Sequence, residues 1–229
     1  MPKVSVVLPC FNEVVNISNI VSVIRSIGWD KQICEIIIVD DGSTDGTREL
    51  LISMARKDDG INLVFPTERL GLAVSVYLGI TKSRSEYVAV MDADGMHDPA
   101  YLPIMLSVLS QNVALVIGSR YVDGGRAHGA IYPRISLLMN LVIKKIMKSK
   151  VNDQLCGFFI CRRSEIIKID QIKFSGFGAY FISVIKYFER NRLGVFELPT
   201  LHRVRSGGLR KSRRFKMLVQ YLALALRER

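Results

Sequence analysis

"ICEIIIVDDGSTDGT", residues 33–47, is a strand that stays apolar almost without interruption and then breaks into acids and turn formers. A strand with one wet face alternates apolar and polar side chains. One that is apolar throughout is buried on both faces, as in a parallel sheet covered by helices. Asp40 and Asp41 close the run, and Gly42, Ser43, Thr44 and Asp45 bring turn and helix-capping chemistry. Capping accounts for Thr44 or Asp45 but not for two successive acids. An acid at the carboxyl end of a parallel strand commonly receives a base edge or ribose hydroxyl of a nucleotide.

The same unit recurs on either side. "VSVVLP" precedes a helical pattern from Glu13 to Ile27 behind an Asn12 cap. After the quoted stretch come a helix from about Thr44 to Arg56, the strand "INLVF", a helix from Leu72 to about Lys82 and the strand "YVAVMD". A helix from Pro99 to about Ser110 and the strand "VALVIGS" complete the alternation. The expected fold is a Rossmann-like three-layer α/β/α sandwich with a mostly parallel sheet, binding its ligands beyond the strands' carboxyl ends. Those ends carry Asn12 and Glu13, Asp40 and Asp41, Asp92 and Asp94, and Arg120. Past Arg120 a Gly-rich loop, "YVDGGRAHGAIYPR", leads to a basic helix ending near Lys150, the apolar "CGFFICRR" and a helix near 178–190, which together read as a lid or an acceptor side.

A chain of 229 residues, 49% of them hydrophobic, can bury one sizeable core. Residues 99–119 lack charge, but Pro99, Pro103, Gln111 and Asn112 break them into shorter elements, so no spanning helix is expected. "VSVVLP" is too short for a signal-peptide core, and Cys10, Cys34, Cys156 and Cys161 form no CxxC pair. Buried thiols and a reducing, cytoplasmic compartment fit both facts. No GxGxxG follows the first strand and no P-loop occurs, so a nucleotide here needs a metal and arginines rather than a glycine cradle.

"MDADGMHDPA", residues 91–100, ends the YVAVMD strand with two carboxylates two positions apart. In extended chain such residues face the same way, and two carboxylates leave room on Mg2+ or Mn2+ for water and phosphate oxygens. A solvated turn at Asp94-Gly95 is the competing reading, and chemistry alone leaves both open. His97, beside Asp98-Pro99, fits a hydrogen bonder at a helix start better than a metal ligand.

"VVLPCFNE", "IIIVDDGSTDGT", "RLGLAVSVYLGI", "YVAVMDAD", "VIGSRYVDGG" and "VNDQLCGFFICRR" follow one another as in family-two glycosyltransferases of the GT-A fold, which the chain resembles over nearly its whole length. The resemblance is greatest to the dolichyl-phosphate mannose synthase and polyprenyl-phosphate glycosyltransferase branch. It implies that Pro9, Asn12, Glu13 and Asp41 hold the nucleotide and that Asp92 and Asp94 are the metal-binding DxD. Arg120 and Arg134 match basic positions near the diphosphate and the acceptor phosphate. "RSGGLRK" resembles the branch's RxxGxSK, which puts Arg205, Gly208 and Lys211 over the phosphates.

The implied reaction is inverting transfer of one sugar, mannose or glucose, from GDP-mannose or UDP-glucose to dolichyl or polyprenyl phosphate. A phosphate acceptor is already anionic near neutral pH and needs no dedicated base; if the acceptor were a saccharide hydroxyl, Asp153 would be the first candidate base. The chain also departs from the branch. Met96 stands where a glutamine can assist the metal, Arg210 replaces the serine of RxxGxSK, and "SGFGAYFISVI" lacks a customary acid near Ser183. These departures keep a hydroxyl acceptor and a degenerate nucleotide-sugar-binding subunit as alternatives. By domain, residues 1–120 form the nucleotide-sugar half and 121–211 the acceptor half of one catalytic domain, with 212–229 a basic amphipathic helix.

The formal charge of +11 is concentrated at the end: residues 203–229 hold nine Lys or Arg and one acid, Glu228. The uncharged run Met217–Leu226 is too short to span a bilayer. As a helix, this segment suits either an anionic membrane surface or packing on the domain with a solvated basic face. A lipid acceptor favours a peripheral site on the cytoplasmic face of a membrane and is compatible with a membrane-anchored partner subunit. Interleaved aromatics and a nucleic-acid module are lacking, so no nucleic-acid partner is expected.

Overall fold

The computed structural model describes residues 3–27, 33–128, 132–176, 178–204 and 214–229. Among the described residues nine strands run in chain order: β1 (Val4–Cys10), β2 (Ile33–Asp40), β3 (Ile61–Val64), β4 (Tyr87–Val90), β5 (Leu115–Ser119), β6 (Arg126–Ala127), β7 (Phe159–Arg162), β8 (Val195–Pro199) and β9 (Leu201–His202). The helices are α1 (Ile17–Ser26), α2 (Thr47–Ala55), α3 (Leu72–Lys82), α4 (Leu102–Val108), α5 (Tyr132–Met147), α6 (Arg163–Ile166), α7 (Tyr180–Arg190) and α8 (Arg214–Arg227).

Seven strands form one sheet in the order β3-β2-β1-β4-β7-β5-β8, and β6 pairs with β9 in a small second sheet. The large sheet is parallel except for β7, which runs antiparallel to both β4 and β5. This is the expected Rossmann-like, mostly parallel GT-A arrangement. Every residue of β1 is buried, as a strand covered on both faces requires. Pro9 interrupts nothing, because the ladder from β1 to β4 ends at Val7. Helix α3 comes so close to the sheet that a Cβ on Gly79 would lie 2.2 Å from Val7 Cγ1.

Three helices begin later than their periodicity suggests. Asn12 takes a left-handed conformation (φ 52°), and the Glu13 carbonyl accepts the N–H groups of both Asn16 and Ile17, so 13–16 is a turn and α1 starts at Ile17. Gly46 (φ 94°) separates the 41–45 turn from α2. Pro99–Tyr101 is a 3-10 turn that Asp98 caps by accepting the Ala100 N–H, and Pro103 then sits in the first turn of α4, where its missing N–H costs nothing.

A second, smaller apolar cluster joins α5, α7 and α8 through Ile143, Met147, Ile182, Tyr221, Leu224 and Ala225. The apolar side of α8 is therefore spent largely on the domain. Glu228 locks that helix: its buried carboxylate accepts from Lys173 Nζ at 2.5 Å and Ser183 Oγ at 3.3 Å. Cys10, Cys156 and Cys161 are buried free thiols. Among the described residues no helix is long and apolar enough to cross a membrane.

Candidate active site

The carboxyl ends of β1, β2, β4 and β5 lie along one edge of the sheet, and their loops are sewn together. The Asn12 N–H donates to Ser43 Oγ at 2.8 Å, and Asn12 Oδ1 accepts the Thr44 N–H at 2.8 Å. Glu13 N–H donates to Thr47 Oγ1 at 2.9 Å, while its buried carboxylate accepts from Asn16 Nδ2 at 2.8 Å. Asp40 accepts from the backbone and hydroxyl of Ser43. Its other oxygen, buried, faces Arg48 Nε at 3.7 Å, and neither atom has a hydrogen-bond partner among the described residues. A buried carboxylate oxygen held only by a longer-range ion pair is costly, and it lies directly beneath this edge.

Asp41 serves the neighbouring loop. Its two oxygens accept the N–H groups of Leu70 (2.7 Å) and Gly71 (2.9 Å), fixing a turn in which Gly71 has φ 86°. That turn presents Arg69, which lies 3.7 Å over the Phe11 ring and 3.8 Å from Asp41. Phe11 and Arg69 thus flank the two β-ends that the sequence marks for the nucleotide. Spacing did not single them out, although both fall inside quoted motifs.

At the end of β4, Asp92 and Asp94 are half-buried, whereas Ala93 between them is buried. Asp94 Oδ1 accepts the Met96 N–H at 3.0 Å across a turn closed by Gly95 (φ 81°). Carboxylate oxygens on such a turn suit a hard cation such as Mg2+ or Mn2+, and the thioether of Met96 does not.

His97 is 3% exposed. Its Nδ1 accepts the Asp92 N–H at 3.0 Å, and its ring stacks on Phe158 (centroids 5.0 Å apart) and meets His202 edge-on at 4.7 Å. Burial, assisted by the Arg120 charge, lowers its pKa to about 3. Burial, with His97 and Arg120, takes His202 to about 2. Both rings are neutral, and Cys156, its pKa raised by burial, stays a thiol that donates to the Gly118 carbonyl. Although the donor atoms of His97, Cys156 and His202 lie within 4.8 Å of one another, the one lone pair of neutral His97 is taken by Asp92's N–H. His97 orders the DxD loop. The chain after β9 adds to this, since Arg203 N–H donates to the Met96 carbonyl at 2.9 Å and its guanidinium pairs with Asp98.

Beyond β5, Arg120 is held rather than offered. Asp153, fully buried, accepts from Arg120 N (3.0 Å), Nε (2.8 Å) and Nη2 (2.6 Å). Burial by itself lowers the guanidinium pKa, but Asp153 more than reverses that, and the net shift is upward. Glu197 on β8 braces the pair from behind, accepting from Ser119 Oγ, Asp153 N and both nitrogens of Asn152. Arg134 is exposed in the first turn of α5, and the Tyr121 hydroxyl donates to the preceding Pro133 carbonyl, tying α5 to the Arg120 loop. The structure thus gathers Pro9, Asn12, Glu13, Asp41, Asp92, Asp94 and Arg120 on one edge. Arg205, Gly208 and Lys211 lie outside the described residues.

Residues 5–169 match the family described as "Glycosyl transferase family 2". The chain is 28% identical to a dolichol-phosphate mannosyltransferase of Pyrococcus furiosus over 96% of its own length, but spans only 62% of that relative. It is 30% identical to a polyprenol monophosphomannose synthase of Mycolicibacterium smegmatis, covering 90% of this chain and 79% of the relative. Among solved structures, glucosyl-3-phosphoglycerate synthase of Mycobacterium tuberculosis, in complex with Mn2+, UDP and glucosyl-3-phosphoglycerate, superposes with a TM-score of 0.78 at 20% identity, covering 99% of this chain and 80% of that one. The ordered strand ends, the DxD turn and these matches agree, and the chain belongs to glycosyl transferase family 2.

Proposed function

We propose that the protein transfers one sugar, with inversion, from a nucleotide diphosphate sugar to dolichyl or polyprenyl phosphate at a membrane surface. The names of the relatives support the lipid phosphate and favour mannose, hence GDP-mannose, with UDP-glucose the second donor. Pro9, Asn12, Glu13 and Asp41 would line the nucleotide, with Arg69 and Phe11 beside it. Asp92 and Asp94 would hold Mg2+ or Mn2+, which when bound supplies positive charge opposite the leaving diphosphate. Arg134, Arg205 and Lys211 would add charge at the phosphates, and Arg120, neutralised in part by Asp153, would contribute mainly by shaping the pocket. The remaining assignments are a donor half over 1–120, an acceptor half over 121–211 and a basic C-terminal helix within 212–229, which packs on α5 and α7.

The observation that carries a phosphate acceptor over a hydroxyl is the state of Asp153. A general base must reach the proton that it abstracts, and Asp153 is fully buried with both oxygens on Arg120. A phosphate monoester needs no such base. The test is transfer from labelled GDP-mannose and UDP-glucose, with Mn2+ or Mg2+, to a polyprenyl phosphate or to soluble saccharides. Label in the phospholipid product supports the proposal. Label only in saccharides would shift it to hydroxyl transfer, and donor binding without transfer to either would make the chain a binding subunit. Asp94→Asn should lower the rate by about a hundredfold or more, from several kcal/mol of lost charge stabilisation. Full activity in that variant refutes the metal role.

A further inference from the structure

The short stretch from Thr200 to Arg203 ties the DxD turn to the loop after β5. On one side the Arg126 N–H donates to the Thr200 carbonyl at 3.0 Å, and the His128 N–H donates to the His202 carbonyl at 3.1 Å. On the other side the Leu201 N–H donates to the Tyr101 hydroxyl at 3.2 Å, and the Arg203 N–H donates to the Met96 carbonyl at 2.9 Å. Strand alternation sends the His202 ring inward against His97. Arg203 is left outside, where its guanidinium pairs with Asp98. Met96 is thereby held by both of its backbone groups, the N–H on Asp94 Oδ1 and the carbonyl on Arg203.

We propose that Arg203 is a positioning residue for the DxD turn: anchored on Asp98, it holds Met96, and through Met96 the Asp94 carboxylate, in the arrangement that receives a divalent cation. The inference rests on the metal reading of Asp92 and Asp94 and adds to it a residue that lies in none of the quoted motifs. Charge by itself gives Arg203 no such role, because a guanidinium near two carboxylates opposes a cation. Asp98 offsets that charge, so the contribution of the pair is positional. Asp98 divides its two oxygens between two tasks. Oδ1 caps the 3-10 turn by accepting the Ala100 N–H at 3.0 Å, and Oδ2 receives Arg203. The DxD turn is thus fastened at its far end to a strand that also carries the loop of Arg120, and a shift in either loop is felt by the other.

The test is Mn2+ titration of the full chain with and without GDP, read by the electron paramagnetic resonance of free Mn2+, together with hydrogen exchange at the Met96 amide. Asp98→Asn/Arg203→Gln removes the ion pair and leaves the net charge unchanged, so an effect of the field alone cancels. The amide oxygen at position 98 can still accept the Ala100 N–H, which keeps the cap. The side chain of Arg203 is 61% exposed, and a pair that open supports a change of only about threefold to fivefold. The Mn2+ dissociation constant should rise by that factor, and the Met96 amide should exchange faster by a similar one. Arg203→Lys, which keeps the charge and a donor, should recover most of the loss. Unchanged Mn2+ binding in the double variant overturns the inference, and so does a loss in Arg203→Lys as large as in the double variant. If the wild type binds no Mn2+, the metal reading fails, and the Met96 amide still judges the hold: equal exchange in wild type and double variant then overturns it.

Discussion

Asp153→Asn preserves the shape of the side chain and removes its charge, leaving Arg120 positive in a site where only 9% of its side chain is exposed. Three hydrogen bonds, of 3.0, 2.8 and 2.6 Å, run from Arg120 to this carboxylate. An amide can accept on one oxygen, but its NH2 group then confronts a guanidinium N–H, donor against donor. Removing one partner of a buried, hydrogen-bonded ion pair costs about 3–5 kcal/mol, because the other charge stays behind without compensation. For a domain of this size that corresponds to roughly 6–20 °C in Tm. Urea unfolding at neutral pH, without lipid or donor, reads the loss directly. The competing idea is that Asp153 is a base awaiting a hydroxyl, in which case Asp153→Asn would lose activity while unfolding like the wild type. A stability change below about 1 kcal/mol would refute the structural role argued for the pair.

Acid should destabilise the fold through His97 and His202. Their folded pKa values, about 3 and about 2, lie below an unfolded value near 6.5, so between these limits the unfolded chain binds more protons and stability falls as the pH is lowered. At pH 5 each ring costs on the order of 2 kcal/mol relative to pH 7.5, and His202→Phe should lose about half of the histidine part of that slope in urea titrations; an unaltered slope counts against buried neutral rings. Met96→Gln should lower the Mn2+ concentration for half-maximal transfer several-fold by adding an oxygen donor beside Asp94, and an unchanged metal titration would mean that residue 96 never faces the cation. Gly79→Ala should cost about 1–3 kcal/mol, because its Cβ would meet Val7 Cγ1 at 2.2 Å, and Val7→Ala should relieve much of that cost in the double variant; simple additivity in denaturation would disprove the contact.

Features that depend on neighbours in sequence are legible in the sequence itself. Strands apolar on both faces, acids at their carboxyl ends and the DxD turn all follow from local pattern, and each occupies its expected place. The role preferred for His97 was also within reach, because the Asp92 N–H lies only five residues away. Periodicity misplaces a helix start where one residue's backbone breaks it, as at Asn12 and Gly46. Pairings across the chain were hidden. Arg120 reads as a free cation until Asp153, 33 residues later, is seen beneath it. The Ser183 hydroxyl meets Glu228, 45 residues away, in a contact that no local pattern announces. The segment that forms α5 reads in sequence only as a basic helix, since only packing reveals which side of a mixed helix the core leaves uncovered.

The reversed strand β7 has a bearing on the order in which the molecule assembles. Strands β1 to β4 come from one continuous stretch, residues 4–90, and pair in parallel through helical crossovers, so the nucleotide side can be completed by one contiguous part of the chain. Strand β7 joins β4 to β5 only after α5 has been traversed, and loop closure over so long a segment is slow relative to local pairing. Asp153 sits just upstream of β7 and Arg120 just downstream of β5, so their ion pair forms when that seam closes. The edge that holds the DxD thus comes from one contiguous stretch, whereas the Arg120–Asp153 side depends on a pairing between distant parts of the chain.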